Sequence, residues 1–348
     1  MGKDIPEKRL ESWNDVFADI FNNLFFEGNA VLREEELVAL PTESYMKKVD
    51  GAQREGSRDI HKAVLTGQND FGHSAFVDIQ KSDRNGGRYR LICGLENQTG
   101  VDNTMPERIM MYDCADYEEQ IRLLMDQNRK EQKEAFAKRL HDDQRLAPVI
   151  TLVLYYGSKE WERPRSLHDM LEFPEGMEER LKPYVADYPI NLIQVTKLTE
   201  EERGRLTSDF RLIADYLSCG DSEERLERFM EQDSQRICHE EEFFEMLEEV
   251  AGDRDCREIR RLLKAEMNKG EMNTEEGIRM VNISTVYTRK GREEGIKEGI
   301  RALICDNRSN QVPRDVIVEK LVGFFSITRE EAERYYDKAV LEGTEDRE

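Results

Sequence analysis

The stretch Arg90-Leu91-Ile92-Cys93-Gly94-Leu95-Glu96-Asn97-Gln98-Thr99-Gly100-Val101-Asp102-Asn103 starts as an apolar run and ends in polar side chains. The period-two alternation of a strand predicts Leu91, Cys93 and Leu95 on one face, with Ile92, Glu96 and Gln98 on the other. Glu96 and Gln98 then stand side by side at a strand end. A carboxylate there is a hard oxygen ligand of the kind Mg²⁺ or Mn²⁺ prefers, and a neighbouring amide can orient a water or a phosphate oxygen. One carboxylate does not hold a metal alone. The upstream partner is expected in Ser57-Arg58-Asp59-Ile60-His61-Lys62-Ala63-Val64-Leu65, where Asp59 lies in a strand-like context. Residues 58–65 and 90–98 are predicted to pair antiparallel, with His61 sharing the face of Asp59. The link between them carries Gly67, Gly72, Gly86 and Gly87, and Asp78 on the strand-like run 75–79 is the alternative partner of Glu96.

On the N-terminal side, Ser12 stands three residues before Asp15, a variant of the capping-box pattern, ahead of Phe17, Ile20, Phe21, Leu24 and Phe25 at helical spacing. A first helix is predicted there, stopped at Glu27-Gly28-Asn29. Asp15 and Asp19 lie one turn apart on its flank, where first-turn acids suit the helix dipole. Residues 33–42 are charged and turn-bounded. On the C-terminal side, residues 104–140 read as a charged helix with Met105, Ile109, Tyr112, Ile121 and Leu124 on an apolar side. Arg108 and Tyr112, four apart, share one face of it. Residues 148–156 are a near-continuous apolar strand, of the type buried inside a sheet covered on both faces, and 190–195 is one further strand. Helices follow from Thr199. Gly291, Gly295 and Gly299 interrupt one of them at four-residue spacing, each at a cost of roughly 1 kcal/mol in helix propensity, so that helix is expected to be poorly ordered or partner-dependent. Thr328-Arg329-Glu330-Glu331 is a capping box opening the last helix of a C-terminal hairpin.

The elements Asp59, Glu96-Asn97-Gln98-Thr99, Met105-Pro106-Glu107-Arg108-Ile109-Met110-Met111-Tyr112-Asp113 and Pro148-Val149-Ile150-Thr151-Leu152-Val153-Leu154-Tyr155-Tyr156-Gly157 together resemble the Rpn family. These are bacterial recombination-promoting nucleases, also described as transposases, of the PD-(D/E)XK superfamily. The resemblance runs from about residue 15 to about residue 195. It implies an α/β fold: a PD-(D/E)XK-like restriction-endonuclease core, a mixed sheet flanked by helices, followed by an all-helical C-terminal region. The expected boundaries are 1–197 for the core, 198–285 for an acidic helical region, and 286–348 for the Gly-repeat helix and hairpin. The implied activity is metal-dependent DNA endonuclease, with Mg²⁺ or Mn²⁺ held by Asp59, Glu96 and the backbone carbonyl of Asn97. Gln98 completes the site where the superfamily often has lysine, which implies slower chemistry or a helper such as Lys62, although glutamine here is usual in the Rpn branch. Asp19, His61, Lys62, Asp78, Arg108 and Tyr112 are accessory candidates. An acid on the first helix joins the metal site in some members of the superfamily. For Arg108 and Tyr112, phosphate positioning and fastening of the helix to the sheet are equal alternatives.

Composition narrows the field. The chain has 348 residues, long enough for a sizeable core. No apolar run approaches ~18 residues and no leader is expected at Met1, so a cytoplasmic protein without a membrane span is predicted. Six scattered cysteines form no CxxC pair, which favours reduced thiols. No nucleophile elbow, P-loop, Rossmann fingerprint or HExxH occurs. The formal net charge of −22 opposes nucleic-acid binding over the whole surface, so a DNA-binding reading requires the acid, much of it between residues 200 and 275, to be segregated from a local basic groove. DNA and a second copy joined through the C-terminal helices are the expected partners. The competing reading is a catalytically degenerate nuclease fold acting as an interaction scaffold.

Overall fold

The computed structural model describes residues 10–39, 60–64, 91–131, 140–220, 222–251, 256–269 and 277–345. The chain folds as two compact units, Met1–Phe229 with Ile237–Arg257, and Met230–Arg236 with Glu258–Glu348. The helices beyond residue 197 therefore divide between the units.

The first unit is built on five strands, β1 (Leu37–Ala39), β2 (Ile60–Val64), β3 (Ile92–Gln98), β4 (Val149–Tyr155) and β5 (Asn191–Gln194), in the order β1-β2-β3-β4-β5. β1, β2 and β3 pair antiparallel, while β3, β4 and β5 run parallel. The sheet is thus mixed, with the apolar β4 in its interior and Leu152, Val153, Leu154 and Tyr155 buried. That is where a strand apolar on both faces belongs. β1 is an addition to the reading of residues 33–42 as a charged, turn-bounded segment. Three residues are too few to display a period-two pattern, and Glu34–Glu36 precede them as a 3-10 turn.

Helix α1 (Asn14–Ile20) opens from Trp13 rather than Ser12 and continues into a π-helical turn over Phe21–Phe25. The chain then reverses at Glu27 and Gly28, both at positive φ, as expected of Glu-Gly-Asn. Helix α2 (Met105–Glu131) follows β3, with Pro106 in its first turn, where a missing N–H costs nothing. Its Met105 and Ile109 pack with Val153, Tyr155, Trp161 and Ile190. Because Val153 pairs with Glu96 and Tyr155 with Gln98, α2 covers the sheet face that carries Glu96 and Gln98. The short α3 (Glu178–Leu181) and α4 (Glu200–Arg205) follow, the latter opened by the Thr199/Glu202 capping box. Helix α5 (Asp209–Cys219) lies with α1 on the opposite face, where the Tyr156 and Phe210 rings meet at 6.5 Å. Helices α6 (Glu223–Gln232) and α7 (Glu240–Ala251) come next.

Helix α8 (Cys256–Lys269), whose first two residues belong to the first unit, precedes three helices of the second, α9 (Met280–Ser309), α10 (Arg314–Phe325) and α11 (Arg329–Glu345). Ile300, Ile304, Ile317, Val318, Leu321 and Ala332 form the core of the last three. The Thr328/Glu331 capping box opens α11 as expected. Helix α9 runs unbroken through all three glycines. At Gly299 the reason is packing, since an added Cβ would lie 3.2 Å from the Phe325 ring.

Candidate functional site

Glu96 sits near the end of β3 with only 1% of its surface exposed. Two donors converge on its Oε1, each at 2.7 Å: Nε2 of Gln98, two residues along the same strand face, and Nη2 of Arg108. The sequence reading of adjacent Glu96 and Gln98 is thus met in the geometry. Arg108 reaches the strand end because a short turn places the start of α2 directly after it. Asp102 organises that turn, its Oδ1 accepting from the backbone N–H and the hydroxyl of Thr104, both at 2.7 Å. The same Asp102 accepts from Nη1 of Arg108 at 2.7 Å, and Arg108 Nη2 lies 3.2 Å from the hydroxyl of Tyr112, one helical turn along. The guanidinium is therefore held between a buried and a half-exposed carboxylate, with an aromatic ring 5.9 Å away.

The electrostatics follow from this packing. Burial works to lower the Arg108 pKa, but the contacts to Tyr112 and Asp102 outweigh it, and the group is held above the ordinary arginine value. Burial also works to raise the Asp102 carboxyl, and the Thr104 and Arg108 hydrogen bonds overcome it, leaving Asp102 below the usual carboxylate value. Arg108 is a permanent cation.

The opposite face of β3 holds a second buried carboxylate that the sequence reading does not reach. Glu11, 2% exposed, accepts from Asn97 Nδ2 at 2.8 Å and from the Tyr156 hydroxyl at 3.1 Å. It lies in the three-residue turn Leu10–Ser12, where neither periodicity nor motif spacing marks it. The side chain of Asn97 thus faces away from Glu96. Its peptide groups have a different direction: Ile92 N–H bonds to Pro148 and Gln98 C=O to Tyr156, so in a parallel ladder the even-numbered residues of β3 face β4 and Asn97 faces the β2 side.

The other predicted residues fall as follows. Asp59 and Asp78 lie outside the described residues. His61 and Lys62 are in β2, opposite Gly94 and Cys93, and Ile60 lies opposite Leu95, the neighbour of Glu96. Asp19 is engaged elsewhere. It accepts from the backbone N–H groups and hydroxyls of Thr207 and Ser208 and from Asn23, so it holds the N-terminus of α5. The flank of the first helix thus serves tertiary capping, a role that helical spacing alone does not reveal. Asp15 likewise meets the His239 ring at 2.9 Å, with Trp13 stacked on that ring.

Toward a divalent ion, the described residues supply ligands of the right chemistry, a carboxylate at Glu96 and backbone oxygen at the strand end, but no group of three or more His, Cys, Asp or Glu side chains gathered for a metal. A second carboxylate has to come from elsewhere to complete such a site.

The first unit is thus a mixed α/β unit with an acid, an amide and a cation gathered at one strand end. Residues 81–232 match the family described as "Putative transposase, YhgA-like". The family resemblance read from the residues is shown for that segment, which takes in β3, α2, β4 and β5 and extends past residue 195. No curated protein matches the chain. No solved structure matches it either. Among the described residues, no helix is long and apolar enough to cross a membrane.

Proposed function

We propose that this protein is a metal-dependent DNA endonuclease of the PD-(D/E)XK kind, related to recombination-promoting nucleases and transposases. The observation that carries the reading is the convergence of Gln98 and Arg108 on one oxygen of a buried strand-end carboxylate, Glu96. The register supports Asp59 as the second ligand, because Ile60, which follows it in sequence, lies opposite Leu95, which precedes Glu96. Asp59, Glu96 and the carbonyl of Asn97 would hold Mg²⁺ or Mn²⁺. Such an ion, when bound, polarises a scissile phosphate and lowers the pKa of a bound water. Glu96 and Asp59 would position it, while Gln98 orients Glu96 and Glu11 holds the side chain of Asn97 from the far face.

Purified protein should cut duplex DNA in Mg²⁺ or Mn²⁺, stop in chelator, and lose cutting in Asp59→Ala and in Glu96→Ala. Gln98→Ala should slow cutting less, because an amide that orients a ligand is not itself the ligand. Metal-dependent cutting unchanged in both acid variants would refute the assignment. A second reading, an interaction scaffold on a degenerate nuclease fold, is favoured by the net charge of −22 and by the ion pair already made by Glu96. Absence of both cutting and DNA binding would select it. Self-association through the C-terminal helices belongs to either reading and is tested by sedimentation of the chain with and without residues 286–348.

A further inference from the structure

We infer that Arg108 is the cation that meets the scissile phosphate, supplying from the first turn of α2 the positive charge that the amide of Gln98 lacks. This rests on the nuclease reading. Hydrolysis builds negative charge on the non-bridging phosphate oxygens, and preorganised donors aimed at that charge are among the largest contributions to such catalysis. Arg108 Nη2 and Gln98 Nε2 share Glu96 Oε1 at 2.7 Å, so the guanidinium occupies the same corner as the strand amide. Asp102 and Tyr112 hold it there, and 19% of the side chain remains exposed, so it reaches from a buried acid toward solvent. A planar, permanently charged fork matches phosphate oxygens. In the step itself, the water oxygen bonds to phosphorus, the ester P–O bond breaks, and the leaving oxygen takes the proton that the water sheds. Arg108 donates N–H bonds to the non-bridging oxygens and forms no covalent bond.

The test uses the full chain and a labelled duplex, with Arg108→Gln, Arg108→Lys, Gln98→Lys and the double variant Arg108→Gln/Gln98→Lys, and Glu96→Ala as reference. At saturating DNA, Arg108→Gln should cut about 10²–10³-fold more slowly. The double variant should recover at least about tenfold, because an ammonium on residue 98 returns the charge to the same oxygen's neighbourhood; compensation of Glu96 alone would restore the rate as well, so the salt slope of DNA binding decides between the two, and an unchanged slope overturns the inference. In chelator, where nothing is cut, Arg108→Gln should lower the salt slope of DNA binding by about 1. Wild-type cutting that depends on Glu96 yet is unimpaired by Arg108→Gln overturns this inference alone, as does a folded double variant without recovery. If Arg108→Gln melts below the assay temperature, Arg108→Lys decides. A rate within about tenfold of wild type is then required, and a loss as deep as that of Glu96→Ala overturns the inference. Wild type that does not cut, or that cuts equally well after Glu96→Ala, rejects the nuclease reading and this inference with it.

Discussion

Buried carboxylates in the first unit are told apart by their partners. Asp19 faces backbone N–H groups, two hydroxyls and an amide, whereas Glu96 faces a guanidinium and an amide. Removing Asp19 takes the charged acceptor away from part-buried donors at the start of α5, hydrogen bonds each worth about 1.5–3 kcal/mol. Asp19→Ala is therefore expected to lower unfolding stability by about 3 kcal/mol, read as a lower denaturant midpoint at constant slope, while molecules that remain folded still cut. Asp102 carries a pH signature. Its folded pKa lies below the ordinary carboxylate value, so it adds stability above the unfolded pKa, and that stability disappears as pH falls through the folded value. Asp102→Asn should be less stable than wild type at neutral pH, and the two melting curves should converge in acid. At this scale the pair Glu96 and Gln98 was legible from strand alternation, and Arg108 with Tyr112 from helical spacing. Glu11 was not, because its partners Asn97 and Tyr156 are distant in sequence.

Among the elements, α9 offers the sharpest contrast between local propensity and packing. Gly291 and Gly295 have nothing within 4 Å of an added Cβ, whereas Gly299 has the Phe325 ring at 3.2 Å. Gly291→Ala and Gly295→Ala should each stabilise the chain by roughly 0.5–1 kcal/mol, the gain of replacing glycine inside a helix. Gly299→Ala should gain less than either, because the ring has to give way, and chemical denaturation followed by helical circular dichroism ranks the three. Propensity alone predicted a poorly ordered or partner-dependent helix here. The helix persists because its C-terminal half buries Ile300 and Ile304 against α10, which a one-dimensional reading of glycine cost leaves out.

For the whole molecule, a net charge of −22 makes two salt responses oppose each other. Self-repulsion of a strongly acidic chain is screened by salt, so melting temperature should rise between about 50 and 200 mM NaCl, where the Debye length shortens. Contacts to a phosphate backbone release counterions, so on the proposed nuclease reading DNA binding and cutting should weaken over the same range. A melting temperature that falls with salt would locate the electrostatics in favourable ion pairs instead of net repulsion.

The sequence by itself determined the order of helix, antiparallel strand pair, helix and buried strand, together with the juxtaposition of Glu96 and Gln98. Those features rest on periods of 2 and 3.6 that every residue reports locally. Only the tertiary structure decided which acid meets a guanidinium and which caps a helix. Arg108 meets Glu96 because a six-residue turn organised by Asp102 aims the start of α2 at the end of β3, Asp19 is claimed by Thr207 and Ser208, and Glu11 is drawn to Asn97 across the sheet. A buried carboxylate takes its role from the donors that compensate its desolvation, and when those donors lie many residues away, folding alone selects them.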